Sequence, residues 1–451
     1  MPRPSEFSAG AFAFCEVTVS ERVLEFEEAL AEVLRHATSV AKPAWEREPV
    51  ALKDALGRVL AEPVRAERDQ PPFARSTRDG WAVRSADISQ EQPLRIVGSV
   101  RAGEMWRGTA VRDCEAVEIM TGAPMPEGAD AVLMVEHAEL GTDGFLRVLG
   151  GRTLQPGENV VPQGAEARAG TDVIPAGRRV GAAEIALAAS CGYARLEVFE
   201  QAKVAIVATG DELVRLGQKP EAWQIYNSNS YALKALVSEE GGIGGGLEIA
   251  RDRREDLIER ISQGAMWDLL ILSGGVSMGK YDLVEQVLRE YEAEFFFTGA
   301  WIQPGKPVVF GRIPKIGRYQ VDESGRYVAG PVPKPWTGAW TYFFGLPGNP
   351  VSTEVCFRLY VAPMLRALSG RTEIAPQFVE ALLAENVKGG ARVTRFLPAV
   401  VESDWKQVSV RVVPWQGSGD LAANARANGF VVLPKEVERF VAGEAVTVLL
   451  R

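Results

Sequence analysis

The sequence predicts a multi-domain, mixed α/β protein in which a doubly wound α/β domain is preceded and followed by β-rich structure. Three observations carry that expectation. The chain has 451 residues, and a soft prior of about 150 residues per domain suggests roughly three domains. Between Lys203 and about Gly370 a pattern of strand, glycine-rich loop and helix repeats, as in a mainly parallel sheet wound with helices. From about Pro49 to Gly192, and again after Arg371, short apolar runs and turn pairs take its place.

The elements follow in order. Residues 1–20 hold Phe7, Phe12 and Phe14, but Glu6 and Glu16 break any apolar leader core. No run reaches the roughly 18 apolar residues of a membrane span, and a cytoplasmic protein is expected. Glu21 to Arg35 puts Val23, Phe26, Leu30 and Leu34 on one face, predicting an amphipathic helix. Leu94 to Val97 and Ala131 to Val135 read as strands in a turn-dense region. Three later strands end in loops of small residues. Val204 to Ala208 runs into Thr209-Gly210-Asp211-Glu212, Leu269 to Leu272 into Ser273-Gly274-Gly275-Val276-Ser277, and Tyr342 to Phe344 into Gly345-Leu346-Pro347-Gly348-Asn349-Pro350. Helices are expected around Tyr231 to Glu240, Leu283 to Tyr291 and Val351 to Leu368. Period-2 patterning returns at Val408 to Val412 and Phe430 to Leu433, giving a small C-terminal β domain.

Composition excludes several function classes. A formal charge of -9 without a long basic run argues against a protein that neutralises nucleic-acid phosphates. Cys15, Cys114, Cys191 and Cys356 are scattered, and His36 and His137 lie far apart, so neither a Cys/His zinc site nor a disulfide framework is expected.

Ligands of open α/β sheets bind outside the carboxyl ends of the strands, where the three loops should share one edge. The glycines of Ser273 to Ser277 let backbone N–H groups approach an anion, and the following helix adds its dipole. A tight turn between strand and helix would look the same in isolation. Asn349-Pro350 and Asp282 fit helix N-termini, and capping alone could explain them. Carboxylates beside an anion cradle repel it unless a divalent cation lies between, so Glu212, Asp252 and Asp282 suggest Mg²⁺ bridging to phosphate; three solvated surface acids are the alternative. Lys306, in Gln303-Pro304-Gly305-Lys306-Pro307, could meet an oxyanion or simply face solvent. Arg78-Asp79-Gly80-Trp81-Ala82 and Ile119-Met120-Thr121-Gly122-Ala123-Pro124 each pass for a hairpin or a loop when seen alone.

Taken in order, these segments resemble the molybdopterin molybdenumtransferase family, which includes the bacterial molybdenum-insertion enzyme and the E domain of gephyrin. The carrying segments are Pro72 to Arg84, Met120 to Pro124, Pro156-Gly157-Glu158-Asn159, Thr209 to Leu213, Ser273 to Ser277, Pro304 to Pro307, Leu346 to Ser352, and Gln416-Gly417-Ser418-Gly419-Asp420. The resemblance implies an elongated homodimer with a central three-layer doubly wound α/β domain and three β-rich domains. Its implied boundaries are a tail at 1–20, a helix at 21–42 packing on the α/β domain, a linking β domain at 43–66 and 156–192, an outlying β-rich domain at 67–155, the molybdopterin-binding α/β domain at 193–370, and the C-terminal β domain at 371–451.

The implied reaction is Mg²⁺-assisted cleavage of adenylylated molybdopterin with release of AMP, while molybdate is captured by the dithiolene. Carried over by matching position, Asp252 and Asp282 hold the metal or phosphate, assisted by Glu212. Thr209, Gly210, Asp211, Ser273, Gly274, Gly275, Ser277, Pro347, Gly348, Asn349 and Pro350 bind the pterin phosphate region. Lys306, Ser352, Arg395 and Ser418 form the molybdate pocket, while Asp79 and Thr121 reach across, from the other subunit of the dimer. Other cofactor-pathway proteins are candidate partners; nucleic acid and membrane are not. Three departures stand out: Gln303 replaces a Lys found in many relatives, Glu166 replaces an Asp, and an insertion lies between Gly311 and Phe343. The alternatives are molybdopterin adenylylation, which uses a similar α/β domain without the flanking β domains, and a gephyrin-like scaffold without turnover.

Overall fold

The computed structural model describes residues 22–40, 46–88, 92–246, 249–275, 283–315, 320–321, 327–328, 340–390 and 392–451. The N-terminal tail, Ser277, Asp282 and most of the insertion lie outside the described residues. The chain divides into two compact units, one of Arg47–Val198 and one of Met1–Glu46 with Phe199–Arg451.

In the Arg47–Val198 unit, six strands form one sheet in the order Ala131–Met134, Gly80–Val83, Glu115–Ile119, Leu94–Val100, Phe145–Val148, Ala138–Leu140. Successive side chains of a strand face opposite ways, and here both faces are apolar. Val83, Ala116 and Leu133 enter one core cluster, and their neighbours Ala82, Val117 and Val132 enter another. A separate core in the same unit gathers Leu60, Val64, Ile174, Val180, Ala188, Leu196 and Val198. Leu196 and Val198 are the inward residues of strand Arg195–Phe199, which pairs with Arg47–Ala51. The compact unit therefore ends at Val198.

The other unit holds the α/β sheet. Its elements are α1 (Phe26–Ser39), β1 (Lys203–Ala208), α2 (Asn229–Glu239), β2 (Ile243–Gly246), α3 (Arg254–Gly264), β3 (Leu269–Ser273), α4 (Leu283–Glu290), β4 (Glu294–Phe297), β5 (Val309–Pro314), β6 (Trp340–Leu346) and α5 (Pro350–Cys356). Sheet order is β2-β1-β3-β6-β5-β4. The first four strands are parallel, and β5 runs antiparallel to both neighbours. Alternation again sorts side chains to two faces. Val204, Ile206, Leu269, Ile271 and Phe344 pack with α1, α2 and the helical stretch from α5 to Leu368. Ala205, Val207, Leu270, Leu272 and Phe343 pack with α3 and α4. Helices thus cover both faces, as a largely parallel sheet requires.

The N-terminal helix begins later than its periodicity predicts. Val23 and Leu24 instead form a short parallel pair with Gly299 and Ala300. The buried face of α1 is Phe26, Ala29, Val33, His36 and Ala37, because small alanines allow closer approach than the Leu30 and Leu34 stripe, which is only partly buried.

In the C-terminal region, Thr394–Ser403 pairs with Val408–Val412, then come Phe378–Leu383, Ala445–Leu450 and Gly429–Leu433, which pairs back onto Thr394–Ser403. Among the described residues these strands close into a ring that encloses Leu383, Leu397, Val410, Val431 and Val448. Ile302–Gln303 adds to it in parallel beside Thr394 and Arg395.

Candidate active site

Register decides where the loops meet. Ala208 of β1 pairs with Ser273 of β3, and Ser273 pairs with Leu346 of β6, so the three strands end side by side. A cavity of about 450 Å³ opens there, lined by Thr209, Gly210, Glu212, Asp252, Ser273, Gly274, Gly275, Pro347, Gly348, Asn349 and Pro350 among others. Residues chosen from three separate loops, and Asp252 from a fourth, are brought to one site. Asp211 is exposed and does not line it; its carbonyl accepts from Arg251 Nη1 at 3.0 Å.

Glycine is required at the tip of β3. Gly274 and Gly275 have φ of 92° and 63°, a backbone conformation that costs other residues strain. A Cβ on Gly275 would lie 2.6 Å from Thr209 Oγ1. That hydroxyl is buried and has no hydrogen-bond partner among the described residues, which leaves a polar group beneath the glycine turn available to a ligand. Across the cavity, the Glu212 carboxyl group folds over Gly210, where a Cβ would come within 2.4 Å of Oε2.

The sequence reading missed one side of the cavity. Leu213, Ile225, Tyr226, Asn227, Ser228 and Asn229 also line it. Asn229 is the junction: its Nδ2 donates to Gly348 O at 2.8 Å and to Ser273 Oγ at 3.0 Å, with Thr353 Oγ1 at 3.3 Å. A carbonyl can only accept, so Gly348 O fixes the amide with its nitrogen toward the β3 and β6 loops. Asn227 caps the same turn, accepting from Ser230 N–H at 3.1 Å. The signal in the sequence was Asn227-Ser228-Asn229-Ser230 ahead of an apolar run, which reads equally as a helix start.

Of the four residues carried over as an oxyanion pocket, Ser352 lies in α5, Ser418 bonds to its start and Lys306 follows the Gly305 that packs on it, while Arg395 is placed by its register with Gln303. Asn349 Nδ2 donates to Ser418 Oγ at 2.8 Å, and Val351 N–H donates to Ser418 O at 3.0 Å. The C-terminal loop is thereby fastened to the residue that ends the cavity. Asp420 caps the helix after that loop; the N–H groups of Ala423 and Gln416 hold its carboxyl below the usual carboxylate range. Ser352 lies buried within α5. The Pro304-Gly305-Lys306 turn packs on α5 through Gly305, whose carbonyl is 3.5 Å from Cys356 Sγ, and Arg395 sits in register with Gln303. Lys306, Ser352, Arg395 and Ser418 do not line the cavity itself.

Asp79 and Thr121 belong to the Arg47–Val198 unit. Thr121 donates its backbone N–H and its hydroxyl to Asp79 Oδ1 at 2.6 and 2.8 Å. Those two bonds, the backbone one first, hold the carboxyl below its ordinary range. Glu166 pairs with Arg75 at 3.1 Å.

A cavity of glycine turns and carboxylates at the carboxyl ends of a parallel sheet defines an α/β ligand-binding protein. Comparison with known proteins narrows the class. Residues 24–192 match the MoeA N-terminal region (domain I and II), 205–367 a probable molybdopterin binding domain, and 380–450 the MoeA C-terminal region (domain IV). The chain is 32% identical over 410 residues to a molybdopterin molybdenumtransferase of Haemophilus influenzae, covering 89% of this chain and 93% of that one. It is 34% identical over 412 residues to one of Nostoc sp., covering 90% and 88%. The crystal structure of molybdopterin biosynthesis moeA protein from Pyrococcus horikoshii OT3 is similar with a TM-score of 0.73 at 25% identity, covering 95% of this chain and 100% of that one. The chain belongs to the molybdopterin molybdenumtransferase family, as its ordered motifs imply. Among the described residues no helix is long and apolar enough to cross a membrane.

Proposed function

We propose that this chain is a molybdopterin molybdenumtransferase that takes adenylylated molybdopterin and molybdate as substrates and releases AMP as the metal enters the dithiolene. The observation that carries the reading is the Asn349–Ser418 bond. It ties a loop of the C-terminal ring to the phosphate-cradle end of the cavity, so one site can serve both a nucleotide link and a second, oxyanionic substrate. An adenylylating α/β domain alone lacks that loop.

The chain's own groups divide the work. The Gly275 backbone N–H and the Thr209 hydroxyl, which has no partner among the described residues, offer donors to a phosphate, while the Gly274 N–H ties the turn to Leu346 O at 3.0 Å and Asn229 bonds to Gly348. Lys306 and Arg395 supply positive charge on the C-terminal side for molybdate. Asp79 is kept ionised by Thr121 and acts on the same substrate from the partner subunit of a homodimer. The donor set fits Mg²⁺: Glu212 and Asp252 are hard oxygen ligands in one cavity, and Mg²⁺ is commonly held by one or two carboxylates plus substrate phosphate. Asp282, the other carboxylate assigned to the metal, lies outside the described residues, and substrate phosphate would complete the shell. When bound, Mg²⁺ neutralises charge developing on the pyrophosphate oxygens.

The test supplies purified protein with adenylylated molybdopterin, molybdate and Mg²⁺ and measures AMP. Molybdate-dependent release is expected, suppressed by chelator and restored by Mg²⁺; release indifferent to molybdate would overturn the assignment. Asp252→Asn should lower the rate by at least about a hundredfold, the smaller end of what removing one charge-stabilising group costs. Light scattering should give twice the chain mass. The reading makes the protein cytoplasmic, with other cofactor-pathway proteins as partners.

A further inference from the structure

We infer that Trp301 is the positioning residue for the oxyanion-binding Lys306, an inference that rests on the molybdate role proposed for that lysine. The hairpin between β4 and β5 brings them together. Trp301 N–H donates to Leu24 O at 2.8 Å, fixing one side of the hairpin to the short strand before α1. Lys306 O accepts from Ala300 N–H at 3.0 Å and from Val308 N–H at 2.9 Å, fixing the other. Ile302 is buried while Trp301 and Gln303 are exposed, the alternation expected of an extended segment. Trp301 and Gln303 therefore share one face, and Lys306 folds back over it with Nζ 4.2 Å from the indole centroid.

Lys306 has no carboxylate partner among the described residues. A lysine neutralised by a nearby acid would give up part of its attraction for an anion; one resting on an aromatic face keeps its full charge. The indole face attracts the ammonium through its quadrupole and restrains a four-carbon stem that would otherwise sample many rotamers. The ordering loss that anion binding would impose is thereby partly met in the free protein. Gln303, uncharged and in register with Arg395, leaves Lys306 as the cation of this hairpin face. The consequence is specific to one substrate: Trp301 should govern capture of the tetrahedral oxyanion and leave the nucleotide end untouched.

The experiment compares Trp301→Leu, which keeps bulk without an aromatic face, with Trp301→Phe. In the full-length protein, lysines are reductively methylated with ¹³C, a change that keeps their charge, and the Lys306 resonance is assigned by its loss in Lys306→Arg. The expected native signal is shifted upfield by the indole ring current, retained in part in the Phe variant and at the position of a free lysine in the Leu variant. With unmethylated enzyme, KM for molybdate should rise about two- to fivefold in Trp301→Leu, the size of an exposed cation–π contact. KM for adenylylated molybdopterin and kcat should stay at the native values, and Trp301→Phe should recover most of the loss. A native Lys306 signal at the free-lysine position overturns the inference, and so does an unchanged molybdate KM in Trp301→Leu. If native protein releases no AMP, the functional reading fails, while the lysine spectrum still decides the contact.

Discussion

At the residue scale, Asn229 shows how one side chain can organise a site. Its amide donors reach Ser273 and Gly348, joining the ends of β3 and β6 across the cavity. Asn229→Asp would set a carboxylate oxygen against the Gly348 carbonyl and put negative charge beside a phosphate site. A loss of about 1–3 kcal/mol in stability is expected from the broken pairing, with AMP affinity falling at least about tenfold from charge repulsion. Calorimetric titration with AMP, alongside urea unfolding, separates the two; an Asp variant that binds AMP as tightly as the native protein refutes the assignment. Asp79 offers a second test at this scale. Its carboxyl is held down chiefly by the Thr121 backbone N–H and then by the hydroxyl. Thr121→Val removes only the hydroxyl, so the Asp79 pKa should move part of the way back toward 3.8, read by NMR titration of the carboxyl carbon. No movement would mean that the hydroxyl contributes nothing.

At the element scale, α1 carries a buried titratable group. His36 stacks on Phe296 at 3.6 Å between centroids, with Phe310 and Tyr342 edge-on. Burial lowers its pKa, the charge of Arg35 adds to the effect, and Glu32 opposes without reversing it. The folded imidazole therefore resists the proton that the unfolded chain accepts near 6.5. Stability linked to His36 is complete above that pH and is lost as pH falls toward the folded pKa. Native protein should lose more Tm between pH 7 and pH 5 than His36→Gln, although the variant is less stable at pH 7; parallel curves would exclude His36 as the source. The same helix marks where sequence reading stopped. Its amphipathic period was legible, but the buried face rests on Ala29 and Ala37, because tertiary contact favours small residues where a helix approaches its neighbour closely. The loops after β1, β3 and β6 were legible because glycine and proline punctuate them. Asn229 was not, since a capping asparagine and a loop-joining asparagine have the same local pattern.

At the scale of the whole molecule, what sequence could not show was the joining of distant segments. The motif at Gln416-Gly417-Ser418-Gly419-Asp420 was recognisable by itself, yet its function depends on docking to α5. That docking has two points. Ser418 meets Asn349 and Val351 at the start of the helix. One turn further on, Glu354 Oε2 accepts from Asn424 Nδ2 at 2.7 Å and Arg451 Nη2 at 3.0 Å, while its Oε1 accepts from Arg358 Nε at 2.9 Å. The side chains of Glu354, Arg358 and Arg451 are largely buried, at 14%, 11% and 19% exposure. Removing the acid leaves the Arg451 guanidinium buried without its carboxylate, whereas Arg358 keeps Glu239 at 3.4 Å, and a buried charge stripped of its partner costs more than the pair contributes. Glu354→Ala should destabilise the protein by about 3–5 kcal/mol, with the C-terminal ring loosened first. Calorimetry should then resolve a low-temperature shoulder, because among the described residues Ile302–Gln303 alone continues the sheet pairing between the ring and the α/β domain. Molybdate KM should rise as Ser418 loses its place beside Asn349, while AMP binding in the cavity persists. Glu354→Gln keeps one acceptor oxygen but turns an –NH2 toward a facing donor and lacks the charge, and should fall between native and Glu354→Ala. A single unshifted transition in Glu354→Ala would show that the ring is held by its apolar contacts, with the ionic cluster adding nothing.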